Sequence, residues 1–264
     1  MTIHESAQRE SGPFLDERFL NTPAIATDQC TKLTNEMLLL TREAIFDAFA
    51  CLEKYKQETA DKIIEAEREA DIYEDVLGSY LVKLSTRSLT QRDSQEVARL
   101  LHSIGDLERI SDHAVSILNV SKEMRDKKIT FSDKAEREVN VIVAATREIV
   151  NITVDSVLSG DLVLARDVEP LEQVIDDLKA KMKKRHIKRL QQGECTIELG
   201  FIFSDLLANI ERVSDLCANV AAYMVEVTNE RLDTHEYSQE LREGNISYNE
   251  KYDEFKLKYS LVAV

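Results

Sequence analysis

Four glutamates of this 264-residue chain are each followed, four positions on, by an aspartate, in places that repeat: Glu67 with Asp71, Glu108 with Asp112, Glu172 with Asp176 and Glu211 with Asp215. Residues four apart share one face of a helix, with Cβ atoms about 5–6 Å apart. Two such pairs on adjacent antiparallel helices turn four carboxylates toward one point. Carboxylate oxygens are hard donors that suit magnesium, calcium, manganese or iron and can bridge several ions. Like charges at this spacing cost a helix roughly 0.2–0.5 kcal/mol per pair, so a repeated arrangement invites a compensating cation. With 29 Glu and 20 Asp in the chain, chance supplies roughly two such pairs against the five present. The number therefore says little and the placement says more; from the residues alone, a solvated acidic face and a cation site stand level. The fifth pair, Glu43 with Asp47, has no counterpart and reads as surface.

Two of the pairs lie in a phrase written twice, GDLERISDHAVSI from Gly105 to Ile117 and ANIERVSDLCANV from Ala208 to Val220. The other two lie in EREAD and EQVID, each on the helix before. Helices are what the chain supplies: 7 Gly and 3 Pro leave it almost free of the punctuation that hairpins need. Apolar residues at helical spacing mark six long segments. The first opens at Thr27 or Asp28, either a good N-cap. The second runs from about Glu58 to Leu84 and the third from about Thr90 to Val120. The fourth starts after Ser132 and stops at the C-cap pair Ser159-Gly160. The fifth runs unbroken from about Leu162 to Leu190, the sixth from about Cys195 to Val227, and ISYNEKYDEFKLKYSL predicts a short terminal helix. The expected fold is all-α: two tandem antiparallel three-helix bundles related by duplication, with repeated helices facing the same surface. The expected divisions are an N-terminal extension (1–26), a first bundle (27–128), a second bundle (129–230) and a helical tail (231–264).

Net charge is −15, which excludes general affinity for nucleic-acid phosphates and suits cations or basic partners. Cys30, Cys51, Cys195 and Cys217 are scattered, with no metal-binding or disulfide spacing, and read as reduced thiols of a cytosolic compartment. No run of about 18 apolar residues and no signal-peptide core occurs, so the chain is expected to be soluble. The Glu-x-x-His of a diiron bundle is missing, as are phosphate-cradling loops and nucleophile signatures. Enzymatic function has no positive support. His113 follows Asp112 and could assist a metal, but its counterpart is Leu216.

The repeated phrase resembles the signature helices of PhoU-like domains, and is more similar still to the cytoplasmic C-terminal domain of sodium/phosphate cotransporter family proteins. LDERFLNTPAIA (Leu15 to Ala26), HIKRLQQGECTIELGFIFSDLLANIERVSD (His186 to Asp215) and LREGNISYNEKYDEFKLKYS carry that resemblance over nearly the whole chain. It implies a regulatory or accessory domain in phosphate transport at the inner face of the plasma membrane. The membrane transporter domain, of the same or another chain, would be the partner, and homo-oligomers are also expected. It further implies that Glu67, Asp71, Glu108, Asp112, Glu172, Asp176, Glu211 and Asp215 bind a divalent or multinuclear metal: iron, zinc, manganese or magnesium. The departures at Leu216 and Cys217, and Asn209 against Asp106, predict unequal filling, with the first site, near Asp106 and His113, ahead. A metal-free helical adaptor or oligomerisation module is the alternative, and a metal-dependent phosphohydrolase the third reading. KAKMKKRHIKRL, spanning Lys179–Arg189 and Leu190, is the one concentrated basic run. It reads first as a solvated helix face, and second as a contact for an anionic membrane surface or an acidic partner.

Overall fold

A computed structural model describes residues 14–229 and 246–261, and among these no strand occurs. A short 3-10 turn (Glu17–Asn21) precedes α1 (Pro23–Glu53), α2 (Gln57–Ser85), α3 (Gln91–Lys127) and α4 (Asp133–Ser159). After these come α5 (Leu162–Arg166), α6 (Val168–Gln191), α7 (Ile197–Asn229) and α8 (Ile246–Lys258). The ends follow local chemistry. The Thr90 hydroxyl accepts from the Asp93 amide at 3.1 Å and opens α3, and Ser132 does the same for α4 through Ala135. Gly160 takes a left-handed conformation, φ 69°, and closes α4.

Three boundaries differ from the sequence expectation, and one of them is the end of α3, which runs on to Lys127 instead of stopping near Val120. α1 begins at Pro23 rather than at Thr27 or Asp28. Proline's missing N–H costs nothing at the first helical position, and its fixed φ is already helical, so Pro23 starts the helix and leaves Thr27 buried one turn in. The fifth segment is two helices, with Asp167 between Arg166 and Val168. Pro170 is the reason: in a continuous helix its ring would meet the carbonyl of residue 166, so the chain breaks after that residue.

α1, α2 and α3 pack as one bundle, and α4, α6 and α7 as the other, with α3 against α7 and α1 against α4 joining them. Met37, Ile45, Phe49, Ile63, Leu77 and Leu81 fill the first core; Ile142, Leu171, Met182, Phe203 and Leu206 fill the second. Each such side chain contributes about 1.5–3 kcal/mol by leaving water. The repeated helices thus form the seam rather than one shared outer surface. Lys127 pairs with Glu198 at 2.7 Å and the ring of His102 stacks on Tyr223 at 5.1 Å, so α3 and α7 run antiparallel. Leu15 and Leu20 are buried over the first bundle, where the Tyr80 hydroxyl donates to the Asp16 carbonyl. α8 lies on α6, with the Tyr252 hydroxyl donating to Asp177 at 2.7 Å.

Candidate functional site

In the first half, α2 presents Glu67 and Asp71 and α3 presents Glu108 and Asp112. The two glutamates are half-buried and the two aspartates exposed. Burial pushes the Glu108 carboxyl up to about 7, and the neighbouring charges of Asp112, Asp71 and Glu74 push the same way. Glu67 is raised by burial and by Asp71 and Asp112, against the pull of Arg68. Each glutamate therefore feels both aspartates, and the four predicted residues share one field. Sequence reasoning missed Glu74, although its place one turn beyond Asp71 on α2 was a legible signal.

The second half is tighter. One carboxylate oxygen from each of Glu172, Asp176 and Asp215 lies within 4.8 Å of the other two. The fourth predicted residue, Glu211, is ion-paired with Lys179, and both side chains are mostly covered. Asp215 is raised by burial, then by Glu211 and Asp176, while Arg212 and Lys179 oppose the shift. Arg212 approaches the Asp215 carboxylate at 3.4 Å. Oxygen donors on opposite sides of one divalent ion sit about 4–5 Å apart, so the three-carboxylate group fits a hard cation in both donor chemistry and spacing.

Asp106 and His113 do not join the first cluster. At roughly 100° per residue, Asp106 is turned about 200° from Glu108 and shares a face with His113 seven positions on. That face meets α7. Asn209 Oδ1 lies 2.9 Å from His113 Nδ1, and Tyr223 and Asn219 hydrogen-bond buried Asp106, whose carboxyl burial raises. The Asp106-for-Asn209 difference acts through arginines instead. Arg109 lies 3.7 Å from Asp106, on the seam side, whereas Arg212, with only neutral Asn209 in that place, reaches Asp215.

The basic run also divides. Lys179 is spent on Glu211, while Arg185 and Arg189 hold buried Glu138 at 3.2 and 2.9 Å. Lys181, Lys183, Lys184 and Lys188 remain exposed. Lys183 also lines an open cavity of about 370 Å³ with Ile187, Ile197 and Phe201 at the end where α6 meets α7. Ile197 and Phe201 are each 74% exposed. No helix of the described residues is long and apolar enough to cross a membrane.

The family profile of the PhoU domain matches residues 34–120 and 141–224. Each stretch holds two of the four repeated Glu-x-x-x-Asp pairs. The Thermotoga maritima protein "Phosphate-specific transport system accessory protein PhoU homolog 1" is 22% identical over 194 residues, which are 73% of this chain and 83% of that protein. Two crystal structures share the fold: PhoU from Pseudomonas aeruginosa, with a TM-score of 0.72 at 18% identity, and the phosphate transport system regulatory protein PhoU from Streptococcus pneumoniae, with 0.70 at 16%. Each likeness covers 80% of this chain and 99% of the other.

Proposed function

The chain belongs to the PhoU domain family, and from that membership we propose that it is an accessory, regulatory protein of phosphate transport that works from the cytoplasmic face and catalyses no reaction of its own. The name of the Thermotoga maritima relative supports the transport role. The linker-like stretch from Leu15, the loop before Ile197 and the terminal segment support the finer reading, a partner domain of the sodium/phosphate cotransporter kind. Its partner is then the membrane part of a phosphate transporter. Co-purification of that membrane part with the chain tests the assignment, and a failure of the two to associate in detergent argues for a stand-alone regulator.

The observation that supports metal binding is the convergence of Glu172, Asp176 and Asp215 from two helices of the second half, matched in the first half by the charges of Asp71 and Asp112 that Glu67 and Glu108 feel. Glu67, Asp71, Glu108 and Asp112 would hold a divalent ion in the first, and Glu172, Asp176 and Asp215, with Glu211, in the second. An ion there would supply charge neutralisation that the first half lacks. Repulsion among Glu108, Asp112, Asp71 and Glu74 is relieved by bound cation, and so metal stabilises the native state by mass action. The first half takes metal more readily, because Arg109 is drawn to Asp106 and the turn that holds Lys179 in the second half holds Glu74 in the first. Melting of chelator-stripped protein with added Mg²⁺, Mn²⁺, Fe²⁺ or Zn²⁺ tests this. E108Q together with D112N should remove the response of that half while helix content stays the same. If no ion shifts the melting of the unaltered protein, the metal-free helical adaptor replaces this reading.

An anionic membrane contact is the second reading, and it is narrower than the whole basic run. Only Lys181, Lys183, Lys184 and Lys188 are available, and Ile187, Ile197 and Phe201 stand beside Lys183 to enter the headgroup region. Sedimentation with anionic vesicles checks it: K183Q, K184Q and K188Q together should abolish binding, and unchanged binding sinks it.

A further inference from the structure

α2 and α6 occupy the same place in their bundles, and a shift of 105 residues aligns them. Glu67 falls on Glu172, Asp71 on Asp176, and buried Ile63, Ala70 and Leu77 on buried Val168, Ile175 and Met182. The same shift sets Glu74 against Lys179. These two are one turn beyond the acidic pair, and each faces the cluster of its own half: Glu74 adds its charge to the field at Glu108, and Lys179 is paired to Glu211. The pair is not a loose surface contact, since the Lys179 side chain is 15% exposed and that of Glu211 22%. An ammonium group is a compact point charge with three donors. Seated on the fourth carboxylate beside a group of three, it supplies the positive charge that a metal ion would otherwise bring.

We propose that Lys179 is a tethered cation that takes the place of a metal ion on the second carboxylate cluster, so that this chain loads metal through its first half alone. The inference rests on the reading that these carboxylates are metal sites. It adds that one residue decides which half is loaded. Glu211 is committed to Lys179, and a metal ion must displace the ammonium into solvent before it gains that ligand. At the matching turn the first half carries Glu74, which adds a carboxylate in place of an ammonium group. The second half then keeps a counter-charge of its own without metal, while the first responds to metal. A duplicated domain thereby becomes one sensor and one fixed support.

The test is metal content per chain by elemental analysis, with melting temperature as a second readout, on the full chain equilibrated with Mn²⁺ alone. The unaltered protein should carry the complement of one half, and E108Q with D112N should carry none. Adding K179Q to that double variant should restore bound Mn²⁺ and a Mn²⁺-dependent rise in melting temperature. In the opposite direction, E74K in the otherwise unaltered chain should lower bound Mn²⁺ to near zero with helix content kept. If E108Q with D112N still binds Mn²⁺ while Lys179 is present, or if K179Q restores nothing although the unaltered chain binds, the role of Lys179 is overturned and the metal reading stands. If no variant and not the unaltered chain binds Mn²⁺ or shifts its melting temperature, both are overturned together.

Discussion

Glu74 on α2 and Lys179 on α6 stand at corresponding turns of the two halves, and the polar interior next to each differs in the same sense. Beyond Glu74 the first half buries Leu81 and Leu84; at the matching places beyond Lys179 the second buries His186 and Arg189. Arg189 and Arg185 converge on Glu138, and Arg212 turns to Asp215. The second half thus sets a lysine and an arginine on two of its acids, whereas Glu67 and Glu108 of the first half mainly face other carboxylates. The carboxylate pattern is repeated and the counter-charge is not, so a repeated motif need not keep a repeated environment.

The comparison breaks most visibly where the second half depends on internal pairing. R189A leaves Glu138 buried with only Arg185, and breaking a buried pair costs about 3–5 kcal/mol; urea unfolding should show a loss at the lower end of that range. The matching change in the first half, L84A, removes packing and no charge, at about 2–5 kcal/mol. Metal addition comes next in size. At a hundredfold excess over the dissociation constant, a single site that binds only the native state adds about 2.7 kcal/mol, visible as a rise in melting temperature that E108Q with D112N abolishes.

Proton linkage gives a smaller effect with a fixed sign. Glu108 keeps its proton up to about 7 in the fold, against 4.5 for an ordinary glutamate. Between those values the native state holds more protons than the unfolded chain, so stability falls as pH rises through that window. Melting of metal-free protein should drop across it, and E108Q should flatten the profile. A profile that rises instead would mean that the first cluster is already neutralised. Smallest of all is E43Q with D47N, the unmatched pair: stability should change by no more than about 0.5 kcal/mol, with the metal response untouched.

Much of the molecule was legible before its structure. Thr90, Ser132 and Gly160 mark helix ends through bonds and dihedrals made within a few residues, so a local reading finds them. The i, i+4 spacing placed each Glu-Asp pair on one face for the same reason. Pro23 and Pro170 were in plain view as well, one opening a helix and one breaking it, and both effects reach no further than four residues.

What the chain could not disclose locally is how each helix is rotated against its neighbours. Asp106 and His113 sit beside Glu108 and Asp112 in sequence but face the seam, where Asn209, Asn219 and Tyr223 meet them. Lys179 belongs to a basic run that reads as solvated, and only the packing of α6 on α7 sets it on Glu211. Short-range hydrogen bonds and sterics determine where helices begin, end and place their charges around the axis, and these are properties of neighbouring residues. Which charges meet depends on burying two apolar stripes against each other, a choice made between segments far apart in the chain. That choice, and not the count of carboxylates, sets Lys179 on the acids of one half and leaves Glu74 at the matching turn of the other.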